Sequence, residues 1–269
     1  MIRRMCPRPY LGIGALYCGR EYMVTLYDDE RIDYLMTNEH LKIIQSPTIF
    51  SYSLDAVLLS YFTYLPIKKG NILDLCSGNG VIPLLISDRT AGEITGLEIQ
   101  ERLYQMAKRN IQLNELTNRL SMLHGDLRER QSELQQSYFD VVTCNPPYFP
   151  TPKKTEHNHN EHLTIARHEV TCTLEDCIKA CKLYVRPGGK VSLVHRPERL
   201  LDILTLCRTY RLEPKRMQFV YPKANKEANT VLIEAVRDGK AGLKMEPPLY
   251  IYQSDGTYTP QAREIIYGS

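Results

Sequence analysis

Four consecutive residues, Asn145-Pro146-Pro147-Tyr148, concentrate the chemistry of this sequence. They follow an apolar, β-branched run from Phe139 to Cys144, which predicts a strand ending just before them. Two successive prolines cannot donate to a sheet, and they restrict the residue before them to extended backbone. Asn145 is therefore expected to be held extended, its amide and the Pro146 carbonyl free to face a ligand. Tyr148 adds an aromatic face. An amide oxygen, a backbone carbonyl and a π-face suit the grip of a planar group that bears an NH2. The plain alternative is a rigid turn at a strand end.

A second constellation lies upstream. Asn71 to Leu75 reads as a short buried strand that breaks at Ser77-Gly78-Asn79-Gly80, within the run Asp74 to Gly80. Glycines let the backbone turn tightly and approach a ligand. Glu98 ends the next predicted strand, where an acid can accept two hydrogen bonds from ribose hydroxyls. Asp126 follows a third strand, where it can accept from an adenine amine. Singly, each acid is explained as a helix cap; three acids at three successive strand ends, with glycines, describe an adenosine site. The turn is not a clean GxGxxG, and a sulfonium cofactor needs no diphosphate cradle, so S-adenosylmethionine is favoured over a nicotinamide cofactor.

The elements that must position these groups alternate. Helices are expected at Leu54 to Leu65, Val81 to Ser87, Gln100 to Leu113, from the Thr173 cap to Leu183, and at Glu198 to Tyr210. Strands are expected at Asn71 to Leu75, Glu93 to Glu98, Leu120 to Leu123, Phe139 to Cys144 and Lys190 to Val194, the last after a turn at Pro187-Gly188-Gly189. Gln218 to Tyr221 and Thr230 to Val236 read as a closing hairpin. Strand–helix alternation means a mostly parallel sheet covered on both faces, whose ligands bind at the carboxyl ends of the strands.

With 269 residues, 43% hydrophobic and 24% charged, the chain has the composition of one large globular domain. Residues 1–22, rich in Cys, Pro and Gly, are expected to be a dispensable extension, and 23–269 a single domain, with a cofactor half near 45–150 and a substrate half near 151–240. No apolar run reaches membrane-spanning length, so no membrane partner and a cytoplasmic location are expected. The eight cysteines include no CxxC pair. Cys172, Cys177 and Cys181 with His168 fit no zinc pattern, and no metal is expected. The polar run 151–169, with three histidines in 157–162, is a candidate lid or substrate loop. Net charge is +3, but residues 179–226 hold twelve Lys/Arg against Glu198, Asp202 and Glu213, a net +9 that leaves −6 elsewhere. Such a stretch is either a polyanion footprint or a set of solvated helix faces.

The order Asp-x-x-x-Gly-x-Gly, acid, Asp, Asn-Pro-Pro-Tyr resembles the class I S-adenosylmethionine methyltransferases that act on amines. Within that class the chain is most similar to the bacterial family that methylates the exocyclic amine of an adenine beside the anticodon of a valine tRNA. The likeness spans about residues 45–240. Its segments are Phe50 to Ala56, Asp74 to Gly80, Asn145 to Tyr148, His195 to Arg199, and Tyr221-Pro222-Lys223 to Glu227-Ala228-Asn229. The sequence departs from the class at Cys76, where glycine is commonest. The resemblance implies a Rossmann-like α/β fold with a mostly parallel seven-stranded sheet, helices on both faces and an antiparallel last strand. It also implies that Asp74 and the Ser77, Gly78 and Gly80 backbone hold the methionine end of S-adenosylmethionine. Glu98 would then bind the ribose, and Asp126 with the Leu127 backbone the adenine. Ser53 and Asp55 would close the site, although a helix cap and a first-turn acid explain them equally.

The chemistry is consistent with that assignment. An adenine amine is a poor nucleophile because its lone pair is delocalised. Asn145 and Pro146 would accept its two N–H bonds, Pro147 would keep the segment rigid, and Tyr148 would stack on the base, a contact worth about 1–3 kcal/mol. Neither a tuned general base nor a metal is required. Lys153, Lys154, Arg196, Arg199, Lys215, Arg216, Lys223 and Lys226 are the expected RNA contacts, and no obligate protein partner is evident. The rival readings are the same chemistry on an rRNA guanine, a DNA adenine or a protein glutamine, and an RNA-binding protein without catalysis on the same scaffold.

Overall fold

The computed structural model describes residues 16–18, 23–35, 38–49, 51–66, 68–148 and 172–268. Two antiparallel hairpins open the described chain: β1 (Leu16–Cys18) with β2 (Met23–Thr25), and β3 (Arg31–Leu35) with β4 (Asn38–Gln45). The boundary expected at residue 22 thus falls between the two strands of the first hairpin. The helix α1 (Leu54–Phe62) leads into the main sheet.

Sheet and helices then alternate as expected: β5 (Asn71–Leu75), α2 (Val81–Ser87), β6 (Glu93–Glu98), α3 (Glu101–Leu113), β7 (Leu120–His124) and β8 (Phe139–Cys144). After the segment outside the described residues come α4 (Leu174–Tyr184), β9 (Val185–His195), a 3-10 turn (Pro197–Arg199), α5 (Leu200–Thr209), β10 (Leu212–Tyr221) and β11 (Thr230–Arg237). Seven strands run side by side in the order β7-β6-β5-β8-β9-β11-β10. All are parallel except β11, which is antiparallel to both of its neighbours. Two short additions, β12 (Lys244–Met245) and β13 (Leu249–Tyr250), extend the sheet beyond β10, and α6 (Pro260–Tyr267) follows.

Strand residues alternate between the two faces, so each face gains its own core. Ile72 and Val141 join α1, α2 and α6 on one side; Leu73, Leu75 and Val142 join α4 and α5 on the other. Helix α4 starts from the expected cap: Thr173 Oγ1 accepts from Asp176 N, and the Asp176 carboxylate accepts from Thr173 N, a reciprocal capping box.

Two expectations need correction. The Pro187-Gly188-Gly189 segment is not a turn before a strand but a bulge inside β9. Between the pairs Phe139–Val185 and Val141–Lys190 the ladder takes up three extra residues on β9, with Gly188 left-handed at φ 72°. A Cβ on Gly189 would lie 2.7 Å from Val185 Cγ2, so only glycine fits the kink. The helix expected from Glu198 begins as the 3-10 turn Pro197–Arg199 and becomes α-helical at Leu200.

The amino-terminal hairpins are tied to α3 through polar groups. Asn110 Oδ1 accepts from Ile44 N at 2.6 Å and Asn114 Oδ1 from Lys42 N at 2.8 Å, so side-chain amides stand in for a neighbouring strand. Tyr27 packs against the guanidinium groups of Arg102 and Arg109, both of which also pair with Glu30.

Candidate functional site

The glycine turn at the end of β5 is built from left-handed residues. Cys76 (φ 57°), Gly78 (φ 57°) and Gly80 (φ 80°) reverse the chain into α2. Cys76 adopts this conformation at a cost of about 1–2 kcal/mol that glycine would avoid. Gly96 on β6 makes room for the turn, since a Cβ there would lie 2.6 Å from Ser77 Oγ.

Asp74 is fully buried beneath this turn. Its oxygens accept from Ser77 Oγ at 2.7 Å and Thr143 Oγ1 at 2.6 Å. Burial pushes its carboxyl up to about 7 against those two hydrogen bonds, and the charge of Glu98 adds to the rise. Asp74 and Gly80 therefore stand behind the cleft wall and hold the turn, while Ser77 and Gly78 line the cleft.

Glu98 ends β6 almost wholly buried. Its two oxygens accept from Gly78 N at 2.8 Å and Gln100 N at 2.9 Å, and burial outweighs these bonds to raise its pKa. Glu98 lines the cleft wall, where a carboxylate suits a pair of vicinal hydroxyls. Asp126, past the end of β7, is chelated by Arg128 through its backbone N (2.9 Å), Nε and Nη2. That hydrogen bonding holds its carboxyl below the usual range.

The Asn145–Tyr148 segment leaves the carboxyl end of β8, beside β5. Tyr148 Oη donates to Asn145 Oδ1 at 2.7 Å. The Tyr148 ring lies 5.1 Å from the His195 ring, and the Arg196 guanidinium sits 4.8 Å from its centroid. Burial, then the nearby Asp55 charge, raises the Tyr148 phenol far above its ordinary range. Asp55 accepts from Thr230 Oγ1 at 3.1 Å and lies 3.7 Å from Arg196 Nη2, so it links α1 to β11 across the site. Ser53 makes no cap bond with its side chain, and both Ser53 and Asp55 line the cleft. His195 Nδ1 accepts from Arg196 N, and burial pulls its pKa down to about 4, which leaves a neutral ring.

One cleft of about 510 Å³ joins these groups. Ser53, Asp55, Ser77, Gly78, Glu98, Asp126, Leu127 and all four residues from Asn145 to Tyr148 line it. The sequence reading missed two contributors, Thr143 and Cys172, and gave a third, Arg196, another role. Thr143 is a polar residue in an apolar strand, and its register partner across the sheet is Asp74, a signal that needs the pairing to be known. Arg196, expected at the ligand-binding edge as an RNA contact, lines the cleft and donates to the Asn229 carbonyl at 2.7 Å. Cys172 lines it too.

The other basic candidates divide by topology. Lys223 and Lys226 lie in the turn after β10, at the carboxyl edge beside the cleft; Arg199, in the turn after β9, pairs with Asp202 at 2.8 Å. Lys215 and Arg216 sit early in β10, about 16–20 Å from its carboxyl end at the rise of an extended strand. Arg216 is turned inward: it packs 4.0 Å over the Phe62 ring and pairs with buried Glu234 at 3.2 Å. Lys215 and Arg216, expected to flank the late strands, thus lie within β10. Lys153, Lys154 and the histidines of 157–162 lie outside the described residues.

This arrangement matches known proteins. The family model described as "Methyltransferase small domain" covers residues 40–200. The chain belongs to the methyltransferase small domain family. Among curated relatives, tRNA1(Val) (adenine(37)-N6)-methyltransferase of Shewanella sp. (strain MR-4) is 30% identical, over 79% of this chain and 89% of that protein. The protein of the same name from Porphyromonas gingivalis is 29% identical over 70% of this chain and 75% of its own length. A crystal structure of a predicted O-methyltransferase from Agrobacterium tumefaciens superposes with a TM-score of 0.64 at 23% identity, covering 80% of this chain and 96% of that one. Geranyl diphosphate methyltransferase in complex with SAM gives 0.50 at 11% identity, over 68% and 84% of the two chains. At those identities the structures bear on the fold alone, and they agree with the class I methyltransferase sheet. The chain is therefore a methyltransferase, and its cleft fits S-adenosylmethionine. Glu98 and Asp126 place carboxylates at two ends, and Val81, Ile82, Leu97, Ile99 and Leu103 give an apolar wall.

Proposed function

We propose that this methyltransferase acts on the exocyclic amine of an adenine in tRNA, next to the anticodon of a valine tRNA. The observation that carries the reading is the shared cleft: an amine grip, Asn145 to Tyr148, opens on the same space as Glu98 and Asp126. The names of the curated relatives support the choice of RNA and base. The cofactor's contribution is an electrophilic sulfonium methyl group. Ser77, Gly78 and the support of Asp74 hold its methionine end, Glu98 its ribose, and Asp126 with Leu127 its adenine.

The chain's own catalytic work is orientation. Asn145 Oδ1 and the Pro146 carbonyl accept the two N–H bonds of the amine, which favours a more tetrahedral nitrogen with its lone pair toward the donor. Asn145 Oδ1 already takes one hydrogen bond, from Tyr148 Oη, and its second lone pair serves the amine. Arg196 over one side of the ring and His195 beside it set the plane on which the base stacks. The base enters unpaired or flipped. Lys223, Lys226 and Arg199 at the cleft edge contact phosphates. The cysteines 76, 144, 172, 177, 181 and 207 are free thiols, in keeping with a reducing, cytoplasmic setting, and no helix among the described residues is long and apolar enough to cross a membrane.

The test is methyl transfer to valine tRNA with Asn145→Ala beside the wild type. Turnover should vanish while S-adenosylhomocysteine still binds. Nucleoside mass spectrometry of RNA from a deletion strain should show a lost methyladenosine. Loss of a methylguanosine alone would overturn the substrate, and wild-type turnover by Asn145→Ala would overturn the mechanism.

A further inference from the structure

Beside the cleft, on the side of α4, lies a group of thiols that methyl transfer does not use. The Sγ atoms of Cys76, Cys172 and Cys177 all lie within 4.8 Å of one another, and Cys172 and Cys177 are 3.8 Å apart. Cys144 and Cys181, both buried, pack in the same apolar cluster. The three come from different places: the glycine turn after β5, the approach to α4, and its first turn. Sequence spacing could not reveal this, because Cys76 is remote from the other two in the chain.

Buried cysteines are often no more than small apolar residues. Two observations argue for more. Cys76 and Cys172 line the cleft, so an ion from solvent can reach the group. Cys76 also keeps its thiol in a left-handed backbone where glycine would be less strained. A disulfide needs two sulfurs, whereas here three converge. A metal bound at about 2.3 Å to each sulfur sets neighbouring sulfurs about 3.8–4.0 Å apart, for tetrahedral or trigonal geometry. The Cys172–Cys177 separation already meets that value, and Cys76 Sγ lies within 4.8 Å of both.

We propose that Cys76, Cys172 and Cys177 form a binding site for one soft, thiophilic cation of the Zn(II), Cd(II) or Cu(I) type. The three sulfurs bind as thiolates and release their protons to solvent. The fourth position faces the cleft. Because Cys76 belongs to the turn that holds the methionine end of the cofactor, the ion and the cofactor disfavour each other. The site is then an inhibitory metal sensor within the methyltransferase.

The test titrates reduced, full-length protein with Cd(II) and reads ultraviolet sulfur-to-metal charge-transfer absorption. One equivalent should bind, and Cd(II) should displace Zn(II) bound beforehand. The double variant Cys76→Gly, Cys172→Ser should lose the absorption while keeping a cooperative melting transition. Cys207→Ser, outside the group, should keep it. Bound Zn(II) should weaken S-adenosylhomocysteine binding about fivefold or more. Charge-transfer absorption that survives in the double variant would overturn the proposal, as would its absence from the wild type. So would a reduced protein that ignores Cd(II) but forms a Cys172–Cys177 disulfide with mild peroxide, which would make the group a redox pair. These readouts do not require methyl transfer, so failure of the proposed RNA activity leaves them intact.

Discussion

Replacing Asp74 by Asn should change how the protein's stability depends on pH. Asp74 is fully buried, and its carboxyl rises from 3.8 to about 7, first through burial, despite hydrogen bonds from Thr143 and Ser77. Its unfolded-state value is near the ordinary one. The folded protein therefore holds this proton over a range where the unfolded chain has released it. Stability from the group is complete below about pH 4 and is lost as pH rises through about 7. At about 1.36 kcal/mol per pKa step, the whole change is at most about 4 kcal/mol.

Asn fits the same space. Its oxygen can accept from Ser77, and its NH2 can donate to Thr143 Oγ1, which lies 3.5 Å from the Leu73 carbonyl and can turn its own proton there. The assay is chemical denaturation of both proteins, without cofactor, from pH 4.5 to 8.5. The wild type should lose stability relative to Asp74→Asn across this range, with the steepest change below pH 7. Subtracting the two curves cancels groups such as Asp126 and Asp140, whose lowered pKa values act with the opposite sign. A difference curve that is flat, or that rises with pH, would refute a raised pKa for this carboxyl.

Two further outcomes follow from the geometry. Asn110→Ala strips the partner from Ile44 N and from the Asn79 carbonyl; it should cost about 1–3 kcal/mol in denaturation and weaken S-adenosylhomocysteine binding, and an unchanged melting curve would contradict the role given to this amide. Charge reversal of Lys223 and Lys226 should weaken tRNA binding and reduce the slope of log K against log salt by about 0.7–0.9 for each phosphate no longer neutralised, whereas Lys215→Glu should leave that slope unchanged; equal effects at both places would put the RNA on a different surface.

Much of the site was legible because strand-end chemistry is local. The prolines after Cys144, the glycines after Asp74 and the acids at Glu98 and Asp126 each mark the carboxyl end of a strand within a few residues. In a parallel sheet, all such ends meet at one edge. The same locality explains the helix limits, since Thr173 and Asp176 cap one another without help from the rest of the chain. The hairpins of residues 16–45 were not legible. Their hold on α3 depends on Asn110 and Asn114 finding backbone groups more than sixty residues away in sequence.

Charge was the least legible property. A count of Lys and Arg located a basic stretch, but not which members face solvent. Register decided that: Arg216 is drawn inward by Glu234 and Phe62, and Arg196 by Asp55, Asn229 and the Tyr148 ring. A long cationic side chain goes where a desolvated acid, carbonyl or aromatic face awaits it, and only the folded sheet sets those partners. The thiol group is the same case, since Cys76 meets Cys172 and Cys177 only because β5 and α4 pack together. The sequence by itself determined that the Asn145–Tyr148 segment, the glycine turn and the acids Glu98 and Asp126 would share one edge of a parallel sheet, because turn chemistry and hydrophobic periodicity act over a few residues. Only the tertiary structure decided which charges turn into the cleft and which sulfurs converge beside it, because those depend on contacts between distant elements.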